Sequence, residues 1–241
     1  MFRFFWVIFV NLFRIPYYVI KAECMQTHIE DYTEKQRYAL AMKVANMVRR
    51  TAGIKTSVYG TQNLPKSGGY VMYANHQGKY DALGIMLGHK EPCSVVMDDK
   101  RSHGVVVKQF IDMLGGKRLE KDNLKQSMKI IHEVAEEVKQ GRKYIIFPAG
   151  GYWNASNRVD PFKPGSFKAA MRAKAPIVPV AIIDSYKAFE TNTIGRVKTQ
   201  VHFLKPLYYE DYKDMKAVEI AKIVEKMIKD CIRKQKSDIF I

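Results

Sequence analysis

His76 and Asp81 stand five positions apart in the stretch N-H-Q-G-K-Y-D, residues 75–81. A histidine beside a carboxylate is a proton-handling pair. One ring nitrogen donates to the acid, which fixes the tautomer and stabilises the imidazolium; the other nitrogen is left to take a proton from a substrate. The pair resembles the His–Asp half of a hydrolytic triad, but no serine or cysteine partner is evident, so the nucleophile would come from the substrate. Positions i and i+5 of one regular helix diverge by about 140°. The two side chains therefore meet only where a loop enters a helix. Asp81 suits the first turn of that helix, where carboxylates are favoured, and Gly78 frees the backbone between them. Taken alone, the spacing fits equally a polar loop histidine followed by a helix-capping aspartate.

The flanking segments supply such a junction. Tyr70–Ala74 reads as a strand and Ala82–Gly88 as a helix. From Ile54 onward, strand-like and helix-like segments alternate. Strands are expected at Lys55–Tyr59, Tyr70–Ala74, Ser94–Met97, Lys117–Glu120, Tyr144–Phe147, Ile177–Ile183 and Val197–Phe203. Helices are expected at Ala82–Gly88, Val105–Leu114, Asn123–Lys139, Ser166–Lys174 and Asp211–Lys236. Gly, Pro and Asn punctuate the joins. This alternation predicts an α/β domain over residues 53–241, a mixed, mostly parallel sheet covered by helices.

Residues 1–52 read as an N-terminal membrane-interface helical hairpin, an amphipathic two-helix anchor. The uncharged run Phe4–Phe13 is far short of the roughly 20 residues a spanning helix needs. Wound as a helix, Arg3, Asn11 and Arg14 share a quadrant and bulky apolar residues fill the rest. A narrow basic stripe on an aromatic cylinder suits a helix lying in a lipid interface. Pro16 with Tyr17 and Tyr18 is expected to bend or end this helix, and Glu30–Arg50 supplies the second. In the last helix, Val218, Ala221, Ile223, Val224, Met227, Ile228, Cys231 and Ile232 form a broad apolar face, opposite its lysines.

The chain has 241 residues, 47% of them hydrophobic, with 40 basic and 24 acidic residues for a net charge of +16. Such an imbalance implies anionic partners: lipid, phosphorylated metabolites, an acidic carrier protein or nucleic acid. No nucleic-acid recognition module is legible, which argues against the last. Cys24, Cys93 and Cys231 are isolated and suit a reducing compartment. No metal centre is expected.

Four stretches in order resemble the glycerolipid acyltransferase family, specifically the 1-acyl-sn-glycerol-3-phosphate (lysophosphatidic acid) acyltransferases. N-H-Q-G-K-Y-D matches the family's N-H-x4-D. G-G-K-R-L-E-K-D-N at 115–123 loosely matches G-x-I-F-I-D-R-x-N. F-P-A-G-G-Y at 147–152 matches F-P-E-G-T-R, and A-P-I-V-P-V at 175–180 matches a hydrophobic Val-Pro strand. F-K-P-G-S-F at 162–167 is also similar, and the match covers roughly residues 54–185.

The resemblance implies direct acyl transfer, without a covalent acyl-enzyme. His76, oriented by Asp81, would take the proton from the sn-2 hydroxyl of lysophosphatidic acid, and phosphatidic acid would form. Asn75 and nearby backbone N–H groups would position the site or stabilise the oxyanion. Lys121 aligns with the motif arginine and is the first choice for the acceptor phosphate; Arg118 and Lys100 are further candidates. Lys retains the charge but not the two-pronged grip of guanidinium. If Lys117–Lys121 is extended, Arg118 points away from Lys121, so both cannot easily serve one phosphate. Ala149, Gly150 and Gly151 form the third motif's part of the acceptor site. No cofactor is implied beyond an acyl donor as co-substrate, an ester of acyl carrier protein, CoA or phosphate. The expected partners are an anionic membrane surface, a lysophospholipid acceptor and the donor. The expected place is the cytoplasmic face of the cell membrane, held monotopically or peripherally.

Ala149 departs from the motif glutamate, and Tyr152 from its usual arginine. Arg158 or Lys163 could restore the cation, but nothing in the sequence visibly replaces the carboxylate. An engineered substitution, favoured by the intact neighbours, a natural relative with altered chemistry, and a lipid-binding protein without turnover each fit. Close alternatives are acylation of glycerol 3-phosphate or of another lysophospholipid, and a non-catalytic membrane lipid-binding module.

Overall fold

The computed structural model describes residues 2–152, 156–193 and 195–237, so the outermost residues of both expected domains lie outside it. Three helices come first: α1 (Phe2–Val10), α2 (Ile15–Thr27) and α3 (Glu34–Thr51). They are followed by β1 (Ile54–Tyr59), β2 (Tyr70–Ala74), α4 (Asp81–His89), β3 (Ser94–Asp98), α5 (Asp99–Ser102), α6 (Val105–Met113), β4 (Lys117–Leu119), α7 (Leu124–Lys139) and β5 (Lys143–Ile146). Last come α8 (Lys168–Ala173), β6 (Ile177–Ile183), β7 (Val197–Phe203), α9 (Tyr209–Tyr212) and α10 (Ala217–Ser237).

All seven expected strands form, in one sheet of order β1-β7-β6-β2-β5-β3-β4. Five neighbours, β6 through β4, run parallel; β7 is antiparallel to β6, and β1 is parallel to β7. The architecture is the mixed, mostly parallel α/β sheet that the alternation implies. The parallel strands β2 and β6 are buried along their whole length, which explains their continuous apolar sequence.

Side-chain alternation splits the core in two. Val71, Tyr73, Tyr144, Ile146 and Ile177 face α7, α8 and α10. Tyr70, Met72, Ile145, Val178 and Phe203 face α2, α3, α4 and α6. The helices of residues 1–52 thus close the same core as the sheet, since Ala22, Met25, Tyr38, Leu40 and Ala41 belong to the second cluster.

The N-terminal helical hairpin is present, and its first arm is itself broken. Helix α1 ends at Val10, earlier than the proline suggests. Pro16 instead opens α2, where its missing N–H is unpaired in any case. No single described helix is long and apolar enough to cross a membrane; α1 and α2 pass together by length and composition but meet at a bend of 81°. Thr33 starts α3 through a reciprocal capping box with Gln36, so this helix begins four residues after the expected Glu30.

The stripe on α1 faces the opposite way from the expectation of a basic side at the lipid boundary. Arg3 is 5% exposed and Asn11 is buried. The Arg3 guanidinium donates to the carbonyls of Lys187, Ala188, Thr193 and Gly195 at 2.8–3.0 Å. Asn11 donates to Val7 and Thr51, whereas Arg14 is exposed. Four loop carbonyls without strand partners accept instead from the five-donor guanidinium. The apolar side therefore points outward: Phe2, Phe5, Trp6, Phe9 and Leu12 are exposed, and Phe13 is 94% exposed.

Helix α10 is shorter than the expected Asp211–Lys236, because α9 and a turn occupy its beginning. Its buried face is Ile220, Ala221, Val224, Ile228 and Ile232, while Val218, expected on that face, is exposed.

Candidate functional site

The five parallel strands all end at one edge of the sheet, which brings their following loops together, as ligand-binding α/β sheets require. The loop after β2 carries His76. Its neighbours hold it down on both sides. Asn75 exchanges two hydrogen bonds with the backbone of Ile182 at the end of β6. Gln77 donates to the Ile182 carbonyl and to Asn157, and accepts from the Ser185 N–H. Both side chains are buried. Asn75, expected to position the site or stabilise an oxyanion, clamps the His76 loop to the end of β6.

The junction brings His76 and Asp81 together. Nδ1 of His76 lies 2.6 Å from Oδ2 of Asp81. The same oxygen accepts the backbone N–H groups of Gln77 and Gly78, and the Asp81 side chain is wholly enclosed. A carboxylate so placed only accepts, so Nδ1 must be the protonated nitrogen and Nε2 carries the lone pair. Nε2 has no hydrogen-bond partner among the described residues. The imidazole stacks on Phe147 at 4.3 Å and meets Tyr152 edge-on at 4.6 Å. Two aromatic rings thus fix its plane and leave its outer nitrogen toward the edge of the sheet.

Phe147–Gly150 forms the turn after β5, closed by the Gly150 N–H on the Phe147 carbonyl at 3.0 Å. Gly150 has φ of +76°, and a side chain there would also meet the Lys163 ammonium group. Ala149 is buried in the cluster that holds Val159, Phe162 and Phe167. Its methyl group is a packing residue, and Gly151 beside it is buried.

The three cations singled out in the sequence are separated. Lys121 pairs with Asp98 at the end of β3. Arg118 turns to the other side of its strand, to Asp112 of α6 and Ser102 of α5, as the alternation of an extended segment implies. Lys100 stands in solvent, 3.8 Å from Asp122. Arg158 lies 3.7 Å from Asp160, and its side chain is mostly exposed.

Sequence reasoning missed Arg101 and Glu190 at this edge, and the contacts of Tyr152 with both. The Arg101 guanidinium lies 5.1 Å from the centroid of the Tyr152 ring. The Tyr152 hydroxyl donates to Glu190 at 3.4 Å. Glu190 also takes the backbone N–H and the ammonium of Lys79, and packs against Gly78, where a Cβ would come within 2.8 Å of it. Burial chiefly, with Glu190 alongside, raises the Tyr152 phenol above its ordinary pKa, so the hydroxyl stays a donor. A carboxylate therefore does reach the F-P-A-G-G-Y segment, from the loop after β6. Only the charge of Glu190 hinted at this; Tyr152 lies 38 positions away and Lys79 111.

A family model described as Acyltransferase matches residues 55–183. Among curated proteins, the 1-acyl-sn-glycerol-3-phosphate acyltransferase of Saccharomyces cerevisiae is 26% identical over 194 residues, covering 78% of this chain and 63% of the yeast protein. The alpha form of the same enzyme from Ovis aries is 24% identical over 216 residues, covering 86% of this chain and 70% of the sheep protein. This chain thus spans about two thirds of the length of those relatives. Among solved structures, the 1-acyl-sn-glycerophosphate acyltransferase of Thermotoga maritima is similar with a TM-score of 0.76 and 21% identity, covering 98% of this chain and 94% of that one. The likeness is one of fold.

Proposed function

The chain belongs to the acyltransferase family, and from that premise we propose that it transfers a fatty acyl group to the sn-2 hydroxyl of lysophosphatidic acid, making phosphatidic acid. The observation that carries this reading is the 2.6 Å contact of His76 with an enclosed Asp81, which leaves Nε2 as the free base. The names of the curated relatives support the acceptor.

The reaction needs one proton moved twice. Nε2 accepts the proton of the lipid hydroxyl as its oxygen attacks the carbonyl carbon of an acyl thioester. Asp81 stabilises the imidazolium that results. The tetrahedral intermediate collapses with loss of thiolate, and the imidazolium returns the proton to it, so thiol and ester are the products. Phe147 and Tyr152 hold the ring in plane throughout.

We place the chain on the cytoplasmic face of the cell membrane, monotopic or peripheral; the outward aromatic face of α1 supports the lipid contact. Contiguous exposed apolar surface of this kind marks a contact with lipid or protein, and the lipid acceptor makes a bilayer the fitting medium.

The test is product analysis by mass spectrometry, with the full chain in mixed micelles, lysophosphatidic acid, and acyl carrier protein, CoA or phosphate esters in turn. Phosphatidic acid is expected. His76→Ala should lower turnover by about 10²–10⁴-fold with the circular dichroism spectrum unchanged. Absence of transfer with every donor, and with glycerol 3-phosphate and other lysophospholipids as acceptors, overturns the enzymatic reading.

A further inference from the structure

The acceptor of the proposed reaction carries its phosphate on the carbon next to the reacting hydroxyl. The cation that binds it must therefore lie within a few ångströms of substrate held at His76. Each cation singled out from the sequence already has an acid beside it. Lys121 faces Asp98, Arg118 faces Asp112, and Lys100 lies near Asp122. A phosphate arriving at any of them competes with a resident carboxylate.

Arg101 is differently placed. It is exposed; Asp98 accepts its backbone N–H and feels its charge, but among the described residues no carboxylate forms an ion pair with its guanidinium. Its guanidinium rests on the Tyr152 ring at 5.1 Å, and that ring meets the His76 imidazole at 4.6 Å. One aromatic side chain spans from cation to base. Tyr152 is itself fixed, through its hydroxyl, to a Glu190 that is tied to Lys79 in the loop of His76. Lys163 approaches the Gly150 end of the same turn and also has no ion pair with a described carboxylate. The charged groups around Tyr152 are thus Arg101 from α5, Lys79 from the loop after β2, and Glu190, which pairs with Lys79.

We propose that Arg101, carried on the Tyr152 ring, binds the phosphomonoester of the acceptor while His76 meets its hydroxyl. The planar guanidinium offers the two-pronged grip that Lys121 lacks, and its stacking on tyrosine pre-orients it without filling its donor sites. The inference rests on the proposed acceptor, and it assigns a phosphate ligand that the motif positions did not contain.

The test is calorimetric binding of a short-chain lysophosphatidic acid to the full chain in detergent micelles, with lysophosphatidylcholine of the same chain length as the control. Arg101→Ala should weaken lysophosphatidic acid at least tenfold and leave lysophosphatidylcholine unchanged; Arg101→Lys should fall between. Tyr152→Leu should reproduce most of the loss, and Tyr152→Phe, which keeps the ring, should not. Glycerol 3-phosphate should displace the lipid at lower concentration than inorganic phosphate. Undiminished affinity in Arg101→Ala overturns the proposal, as does no binding by the unaltered chain, equal loss for both lysolipids, or equal competition by inorganic phosphate. Transfer by the unaltered chain with affinity independent of Arg101 would sink this inference alone. Arg101-dependent binding without any transfer would sink the proposed reaction alone.

Discussion

Two amphipathic helices cover this sheet, and they are turned in opposite directions. Helix α10 buries Ile220, Val224, Ile228 and Ile232 and sends Lys222, Lys226 and Lys229 outward. Helix α1 buries Arg3 and sends Phe5, Trp6 and Phe9 outward. Periodicity reveals that a stripe exists; the groups waiting across the interface decide which side is in. For α10 the waiting surface is an apolar sheet face. For α1 it is four peptide carbonyls that no strand satisfies, and leaving such groups unpaired costs about 1–3 kcal/mol each. The two outer surfaces suit different media, water for one and a lipid boundary for the other.

The comparison is broken most directly by charging one buried and one outward position. Val224→Asp in α10 should cost about 4 kcal/mol, from lost apolar burial and a carboxylate without a partner. Phe9→Asp in α1 should change stability in micelles by less than about 1 kcal/mol. Urea unfolding compares them, and equal losses would show that α1 faces inward.

Membrane affinity should invert that ranking. Phe9→Asp combined with Phe13→Asp should weaken co-sedimentation with anionic phosphatidylglycerol vesicles by at least about 100-fold, given about 1.5–3 kcal/mol per large apolar side chain. Lys222→Glu with Lys226→Glu in α10 should lower it by only about threefold, an effect that fades as salt screens the charges. Similar losses for the two pairs would erase the distinction between the helices.

Another effect concerns acid. His89 of α4 lies under the same coat as α2 and α3, donating from Nδ1 to the Glu91 carbonyl and accepting from Tyr70. Burial pushes its pKa down to about 4. Between its ordinary value near 6.5 and that value, the unfolded chain takes a proton that the folded chain refuses. The contribution of neutral His89 is therefore complete above about pH 6.5 and is lost as pH falls toward 4, by about 3 kcal/mol at most. Urea midpoints at pH 7 and 4.5 should diverge in the unaltered chain and draw together in His89→Gln; an unchanged gap would assign the acid sensitivity elsewhere.

What the sequence disclosed follows the range of the interactions. Strands β2 and β6 and the junction at His76 were legible because continuous apolar runs, a glycine and an acid at a helix start act within a few residues. The partners of Asn75 and Arg3 could not be read, because Ile182 and the carbonyls of residues 187–195 lie more than a hundred positions away. The meeting of Arg101, Tyr152 and Glu190 stayed hidden because they come from three separate loops and helix ends, and no motif spacing encodes it.

The grip of Arg3 has a practical consequence for anyone seeking a water-soluble version of this protein. Trimming away the greasy first helix would also withdraw the clasp from the segment that presents Glu190 to the Lys79 and Tyr152 side chains. Inactivity in such a shortened chain would report a slackened loop beside His76 as readily as a lost lipid contact. Blunting the outward aromatics one by one, with Arg3 left in place, separates the two.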